Sequence, residues 1–243
     1  MTFSVVISGA TGRVGNALCE YVQSSDAHRL AGALASSASS GKPVSHASNV
    51  VLNAECAPPV DAVIDFSTSD GALRAIDVAQ KFNAPIVVAT TALSDEAHGA
   101  LQRASNSIPT LLAPNTSLGA AMTTALAASA SRSLGTTYDV SIVEAHRAGK
   151  RDAPSGTALW IAEMARRAGA NVRDDQIFSI RGGDTVGEHV IRFSGPGEVV
   201  EITHRVSSRI VFGIGALRCA EWLVGKSPGA YSVSDVLGVS MDD

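Results

Sequence analysis

The segment Phe3-Ser-Val-Val-Ile-Ser-Gly9-Ala-Thr-Gly12-Arg-Val-Gly15 opens the chain as a buried strand, a glycine-rich turn and the first residues of a helix. Residues 3–8 are apolar enough for an interior strand, and apolar residues at helical spacing predict a helix over 14–23. Gly9 would permit the tight turn, Gly12 would let the backbone approach a pyrophosphate, and Gly15 would let the helix pack closely on the strand. The helix N-terminus offers free N–H groups and a favourable dipole to an anion. The segment therefore predicts dinucleotide binding, although an ordinary strand-to-helix turn can share this pattern.

The alternation of strand and helix continues through the first half of the chain. Further strands are predicted at 30–34, 61–65, 85–89 and 109–113, and helices at 69–82 and 94–105. Repeated strand–helix–strand units are typical of a parallel, doubly wound sheet of the Rossmann type. Residues 35–59 are rich in Ser, Ala and Pro without a clear period, which predicts a mobile loop.

The pattern changes near residue 115. A helix is predicted over 118–133, a strand over 138–145 and a helix over 157–168, followed by three segments interpreted as antiparallel strands at 176–180, 188–194 and 199–206. A helix over 216–224 and a short tail end the chain. We interpret residues 118–213 as a second α+β domain with a mixed or antiparallel sheet. Residues 1–117 and 214–243 would form the dinucleotide-binding domain.

The composition excludes several classes of protein. Of the 243 residues, 45% are hydrophobic and 17% are charged, which indicates a globular protein, and a net charge of −4 argues against a general nucleic-acid binder. Three widely spaced cysteines, without a CxxC pair, predict neither a metal site nor a disulfide framework. No apolar run reaches the ~18 residues that a membrane span requires. Because the N-terminus lacks the pattern of a secretory signal, we expect a cytoplasmic protein.

The end of the second predicted strand bears on the choice of dinucleotide. An NAD-selective fold places an acid there to bind the ribose hydroxyls, whereas this chain has Leu34-Ala-Ser36-Ser37. Ser36 and Ser37 offer hydroxyl donors, and Lys42 and Arg13 offer positive charge. The sequence therefore predicts that NADPH is preferred over NADH.

The segment 144–158 carries the candidate chemistry, running from a predicted strand end through a loop into a helix. His146 is the side chain there that can exchange a proton near neutral pH, and Arg147 and Lys150 are cationic. Backbone N–H groups at the helix start would hold a carboxylate as they hold a phosphate. These N–H groups belong to Ser155, Gly156 and Thr157. Together these groups predict a site for a small acidic substrate.

Several motifs occur in an order that resembles the 4-hydroxy-tetrahydrodipicolinate reductase (dihydrodipicolinate reductase) family over essentially the whole chain. The most specific is Asp152-Ala-Pro-Ser-Gly-Thr-Ala158, preceded by Glu144-Ala-His146. The others are the glycine turn, Asp65-Phe-Ser67, Thr90-Thr91, Ala113-Pro-Asn115, Val186-Gly-Glu-His189 and Glu201-Ile-Thr-His204. The resemblance implies a cytoplasmic homotetrameric oxidoreductase that reduces a cyclic dicarboxylate with NADPH or NADH in lysine and diaminopimelate biosynthesis.

The resemblance also implies roles for individual residues. His146 and Lys150 would be catalytic, while Arg147 and Ser155-Gly156-Thr157 would bind the substrate. The cofactor site would comprise Gly9, Thr11, Gly12, Arg13, Val14, Gly15, Ser36, Ser67, Ala89, Thr90, Thr91, Ala113 and Asn115. No metal is implied.

This sequence departs from the family at three places. Arg147 replaces a second histidine, Ala89 and Ala92 replace the glycines that flank Thr90-Thr91, and Thr116 replaces a phenylalanine. These changes leave open a reductase of a different cyclic imine, or a regulator that binds NADP(H) without turnover. A short-chain dehydrogenase is excluded because none of the three tyrosines has a lysine four residues later.

Overall fold

The chain forms two compact units in a computed structural model that describes residues 2–44 and 49–239. Of these residues, the first unit comprises those up to Thr116 together with Ile210–Val236, and the second comprises Ser117–Arg209 together with 237–239. In chain order the elements are β1 (Phe3–Ser8), α1 (Arg13–Gln23), β2 (His28–Leu34), β3 (Ala62–Asp65), α2 (Ser69–Phe82), β4 (Ile86–Val88), α3 (Asp95–Ala104), β5 (Pro109–Leu112), α4 (Leu118–Leu134), β6 (Asp139–His146), α5 (Gly156–Arg167), β7 (Ile177–Arg181), β8 (Gly187–Gly195), β9 (Glu198–Val206), α6 (Ile210–Leu223), β10 (Gly229–Tyr231) and α7 (Val233–Leu237).

The first unit is a six-stranded parallel sheet with the order β10-β5-β4-β3-β1-β2, which confirms the doubly wound fold. The interior strands consist of apolar residues that are fully buried, such as Ile7, Ile64 and Val87, as a sheet covered on both faces requires. From β1 the chain proceeds to β2 on one side, and then to β3 on the other. This reversal leaves a crevice beyond the carboxyl ends of β1 and β3, the place where such folds bind ligands.

The C-terminal part of the first unit contains more structure than the sequence predicts. Helix α6 begins at Ile210, six residues before the predicted helix, so the first unit resumes there and not at residue 214. The early turns contain β-branched residues and glycines, which are weak helix formers. Gly213 is nevertheless useful in α6, because a Cβ there would lie 3.1 Å from Cβ of Leu18, a residue of α1. The predicted tail contains β10, which extends the sheet beside β5, and α7.

The second unit packs α4 and α5 on a four-stranded sheet with the order β7-β6-β8-β9. Strand β8 is antiparallel to both neighbours, as predicted. Strand β7 is parallel to β6, so the prediction that it is antiparallel is wrong. The reason is that α5 lies between β6 and β7 in the chain and forms a crossover connection. The crossover returns the chain to the edge of the sheet where β6 begins, so β7 runs in the same direction as β6. The sheet is therefore mixed, and Phe193 and Ile142 on its buried face belong to the same core as Ile161 of α5.

Among the described residues, no helix combines the length and the apolar character that crossing a membrane would require.

Candidate active site

The glycine turn after β1 has a geometry that only glycine satisfies. Gly9 has φ of +79°, and a Cβ on it would lie 2.3 Å from the carbonyl oxygen of Phe66. A Cβ on Gly15 would lie 2.2 Å from the carbonyl oxygen of Gly9. Gly12 is the N-cap residue of α1, and no side chain caps this helix end. The turn is thus closely packed against β3 and α1, and the first N–H groups of α1 receive no side-chain cap.

The loops that follow the parallel strands meet at one edge of the sheet. The backbone N–H of Gly9 donates to the carbonyl of Leu34, that of Phe66 donates to Ser8, that of Ala89 to Asp65, and that of Ala113 to Val88, at 2.8–3.0 Å. These hydrogen bonds bring the residues predicted to bind the cofactor from five separate loops to the same edge. Among them Thr11, Gly12, Arg13, Ser36 and Thr91 are exposed, Val14, Ser67 and Asn115 are half-buried, and Ala89, Thr90 and Ala113 are buried.

A buried carboxylate organises two of these loops. Asp65 ends β3 with no exposed surface and accepts hydrogen bonds from Thr90 Oγ1 at 2.5 Å and from Ser67 Oγ. Burial raises the pKa of Asp65, and the hydroxyl donors oppose that rise. Thr90 Oγ1 also accepts from the N–H of Ser67 at 2.8 Å. The hydroxyls of Ser67 and Thr90 therefore hold the loops together. Asp65 is not among the residues predicted for the site, although an acid at the end of an apolar strand is a signal for such a role.

A second missed residue lies at the carboxyl end of β2. Arg74 of α2 donates from Nη2 to the carbonyl of Ala35 at 3.0 Å. It lines an open pocket together with Ser37, Ser40 and Asn53. Arg74 lies in α2, remote in sequence from β2, so no local pattern links it to the serine-rich loop. The fold therefore places the guanidinium of Arg74 beside the serine hydroxyls of the loop after β2.

In the second unit, His146 is anchored to a buried acid. Glu144 has no exposed surface, and its Oε2 lies 2.5 Å from His146 Nδ1. Arg181 of β7 binds the same carboxylate through both oxygens, with Nη1 2.9 Å from Oε2 and Nη2 2.6 Å from Oε1. Burial alone would raise the pKa of Glu144, but the hydrogen bonds from Arg181, Ser179 and His146 lower it to about 2. Glu144 is therefore ionised at neutral pH beside the candidate proton donor.

Two more histidines stand beside this group on the same face of the sheet. The register places Glu144 opposite His189, and His189 opposite His204. His189 and His204 stack with ring centroids 6.2 Å apart, and His146 meets His189 edge-on at 5.4 Å. Burial, and then the neighbouring charge of His146, lowers the pKa of His189 to about 4, so its ring is neutral at pH 7.

The cationic loop and the start of α5 lie next to His146 in the chain. Lys150 Nζ donates to Asp152 at 2.7 Å. Arg147 lies so close to Gly149 that a Cβ on this glycine would be 2.6 Å from Arg147 Nη1. Ser155 caps α5, because its hydroxyl accepts from Ala158 N at 3.3 Å.

The predicted carboxylate cradle differs in one respect from the expectation. The N–H of Ser155 donates to Glu144 Oε1 at 3.2 Å, and Ser155 is buried. That N–H is therefore committed to the protein. Gly156 is exposed and Thr157 is half-buried at the first turn of α5, and they remain the candidates for binding a carboxylate.

Both units of the chain match the same family of known proteins. Residues 3–116 match the family "Dihydrodipicolinate reductase, N-terminus", and residues 119–237 match "Dihydrodipicolinate reductase, C-terminus". The 4-hydroxy-tetrahydrodipicolinate reductase of Xanthomonas campestris pv. campestris (strain B100) is 40% identical over 96% of this chain and 97% of its own length. That of Anaeromyxobacter dehalogenans (strain 2CP-C) is 36% identical over 97% of each. A dipicolinate-bound dihydrodipicolinate reductase from Paenisporosarcina sp. TG-14 shares the fold, with a TM-score of 0.73 at 22% identity over 96% of this chain and 98% of its own.

Proposed function

The chain belongs to the dihydrodipicolinate reductase family, and on that premise we propose that it reduces 4-hydroxy-tetrahydrodipicolinate to tetrahydrodipicolinate with NAD(P)H, in lysine and diaminopimelate biosynthesis. The observation that carries the proposal is the placement of His146. It lies at the end of β6, anchored by an ionised carboxylate, and the cationic loop and the N-terminus of α5 follow it in the chain.

The second unit supplies the groups that a cyclic dicarboxylate needs. Lys150, Arg147 and the N–H groups at the start of α5 would compensate the two negative charges of the substrate. His146 Nε2 is the ring nitrogen that faces away from Glu144, and it lies next to Gly187. A Cβ on Gly187 would lie 3.2 Å from this nitrogen, so the glycine leaves space beside it. That nitrogen would deliver the proton. A dipicolinate-bound relative with the same fold supports a ligand of this class.

The first unit supplies the cofactor site. Hydride comes from the nicotinamide when NAD(P)H is bound. Gly9 and Gly15 allow the close packing of the turn, and Gly12 leaves the α1 N-terminus without a side-chain cap, so its N–H groups would bind the pyrophosphate. The loops held by Asp65 would line the nicotinamide half. A preference for NADPH is supported by the absence of an acid directly after β2 and by Arg74, which lines a pocket with Ser37 and Ser40, because a guanidinium suits the 2′-phosphate.

We also propose that several copies of the chain assemble through the second sheet. The face of the second sheet that turns away from α4 and α5 carries exposed apolar residues, with Phe178 51%, Ile180 54% and Val199 47% exposed. An exposed apolar patch of this kind is typical of an interface between copies. The homotetramer and the cytoplasmic location are the forms that we expect for a biosynthetic reductase of this family.

The experiment that tests the proposal is a steady-state assay with enzymatically generated 4-hydroxy-tetrahydrodipicolinate and both reduced cofactors. Lys150→Ala and His146→Ala are each expected to lower turnover by at least about 100-fold, since charge compensation and proton transfer are of that order. Both variants should still bind NADPH, because neither residue belongs to the first unit. Near-normal turnover in both would remove them from the site, and clearly tighter binding of NADH would contradict the cofactor preference.

A second candidate substrate class is favoured by Arg147, which stands where the family usually has a histidine. Its guanidinium binds a carboxylate more rigidly than an imidazole does, which would suit a different cyclic imine. Thr116, by contrast, is buried, and its hydroxyl donates to the carbonyl of Phe212 at 2.6 Å. Assaying other cyclic imines in parallel separates the two substrate classes. A chain that binds NADPH and oxidises it with none of them would instead be a regulator.

A further inference from the structure

One carboxylate in the second unit gathers hydrogen bonds from three elements. Glu144 of β6 accepts from both Nη1 and Nη2 of Arg181 in β7, contacts Nδ1 of His146 two residues along its own strand, and accepts from the backbone N–H of Ser155 at the start of α5. Its side chain has no exposed surface, and that of Arg181 is 18% exposed. A buried carboxylate with this many donors is fixed in both position and charge.

Arg181 extends the same connection to the loop that carries Lys150. Its Nη2 also donates to the carbonyl of Asp152 at 2.6 Å. The backbone adds to this, because Gly182 N donates to the carbonyl of His146 at 3.0 Å and Ala148 N donates to the carbonyl of Gly183 at 3.1 Å. The end of β6, the loop and the first turn of α5 are thereby joined through one ion pair.

We propose that Glu144 and Arg181 are a positioning pair, which holds His146 with its proton on Nδ1 and its Nε2 directed toward the substrate, and which fixes the start of α5 that receives the substrate carboxylate. The inference rests on the proposed function for its catalytic meaning. Neither residue touches the substrate: Glu144 acts through His146, and Arg181 acts through Glu144.

The charge on Glu144 is what sets the tautomer. A carboxylate that stays ionised can only accept, so the imidazole nitrogen facing it must carry a proton. Nε2 is then the nitrogen that gains and loses the transferred proton. The titratable and charged groups around the pair are His146 on β6, His189 on β8, and Lys150 and Asp152 in the loop. His146 contacts Glu144 directly, whereas Lys150 is paired with Asp152 and His189 Nε2 faces Ser155 Oγ.

The test compares Glu144→Gln and Arg181→Lys with a matched control. Glutamine keeps the shape and removes the charge. Because Arg181 has only donors, the amide oxygen of Gln would turn to Arg181 and the amide NH₂ would turn to Nδ1 of His146. The control is Glu201→Gln, which alters the exposed ion pair of Arg192 and Glu201 on the same sheet, at 3.1 Å.

The first readout is the ¹⁵N spectrum of His146 in the ligand-free protein, assigned by comparison with His146→Ala. The native protein and Glu201→Gln are expected to show a protonated Nδ1, and Glu144→Gln is expected to show the Nε2–H tautomer. An unchanged His146 spectrum in a folded Glu144→Gln protein overturns the positioning role. This readout does not require activity, so it stays decisive even if the assigned substrate is wrong.

The second readout is kinetic. Glu144→Gln is expected to lower kcat about 100-fold and to raise the solvent isotope effect on kcat, because a displaced proton donor makes proton transfer limiting. The affinity for NADPH should stay unchanged. Arg181→Lys retains one charge but loses the two-point contact, so its kcat is expected to lie between those of the native protein and Glu144→Gln. A kcat for Glu144→Gln within threefold of the native value, or a loss without a change in isotope effect, would show that the pair is structural only.

Discussion

Replacing His189 by glutamine is expected to make the second unit markedly more resistant to acid. His189 is 4% exposed, its Nε2 lies 3.3 Å from Ser155 Oγ, and its Nδ1 has no hydrogen-bond partner among the described residues. Burial, followed by the charges of His146 and His204, lowers its pKa from 6.5 to about 4. Protonation of this ring is therefore far harder in the folded protein than in the unfolded chain.

The size and sign of the effect follow from that difference. Between pH 6.5 and 4 the unfolded chain binds a proton at this position and the folded protein does not, so the free energy of unfolding falls as the pH falls through that window. A difference of about 2.5 pKa units, at about 1.36 kcal/mol each, amounts to about 3 kcal/mol lost by pH 4. Above pH 6.5 the ring is neutral in both states and contributes no slope.

The assay is urea unfolding at pH 7, 6, 5 and 4, followed by the fluorescence of Trp160 in α5. Trp222→Phe serves as the background for every protein, because Trp222 lies in the first unit and would otherwise report on it. His189→Gln should lose about 3 kcal/mol less than the background protein between pH 7 and pH 4. Ser194→Ala, a substitution on the same strand that removes no titrating group, should follow the background. Curves of equal slope for His189→Gln and the background would refute the reasoning.

Three further predictions concern the first unit. Ala92 has φ of +53° and is exposed, so Ala92→Gly should raise the free energy of unfolding by about 1 kcal/mol, seen as a higher thermal midpoint; an unchanged or lower midpoint would contradict the strain. Gly15→Ala places a Cβ 2.2 Å from the carbonyl oxygen of Gly9 and should weaken NADPH binding while costing about 1–3 kcal/mol of stability; calorimetric binding at the native affinity would show that the turn does not hold the cofactor. Arg74→Ala should raise the KM for NADPH about 10-fold or more and leave the KM for NADH within twofold, since a charged hydrogen bond to a phosphate contributes about 1.5–3 kcal/mol. Equal changes in KM for both cofactors would place Arg74 away from the 2′-phosphate.

Local signals in the sequence were sufficient for most of the first unit. The alternation of apolar strands and amphipathic helices depends on residues close in the chain, and α2 was predicted with its observed bounds, Ser69–Phe82. Where the local pattern was ambiguous, prediction failed. Helix α6 begins with residues that disfavour a helix by propensity, and Gly213 allows it to approach Leu18 of α1 closely, a tertiary contact that no local pattern reveals. The direction of β7 could not be read from its alternation, because alternation is the same in parallel and antiparallel strands.

The candidate site divides in the same way. The sequence by itself determined the glycine turn after β1 and the run from Glu144 to Ala158, because those groups are neighbours in the chain and their spacing carries the chemistry. Only the tertiary structure decided that Arg181 binds Glu144, that Arg74 reaches the loop after β2, and that the N–H of Ser155 is committed to a buried carboxylate. The physical reason is that each of these contacts joins separate elements. Strand register and helix packing bring their partners within hydrogen-bonding distance, and neither can be read from the residues beside them.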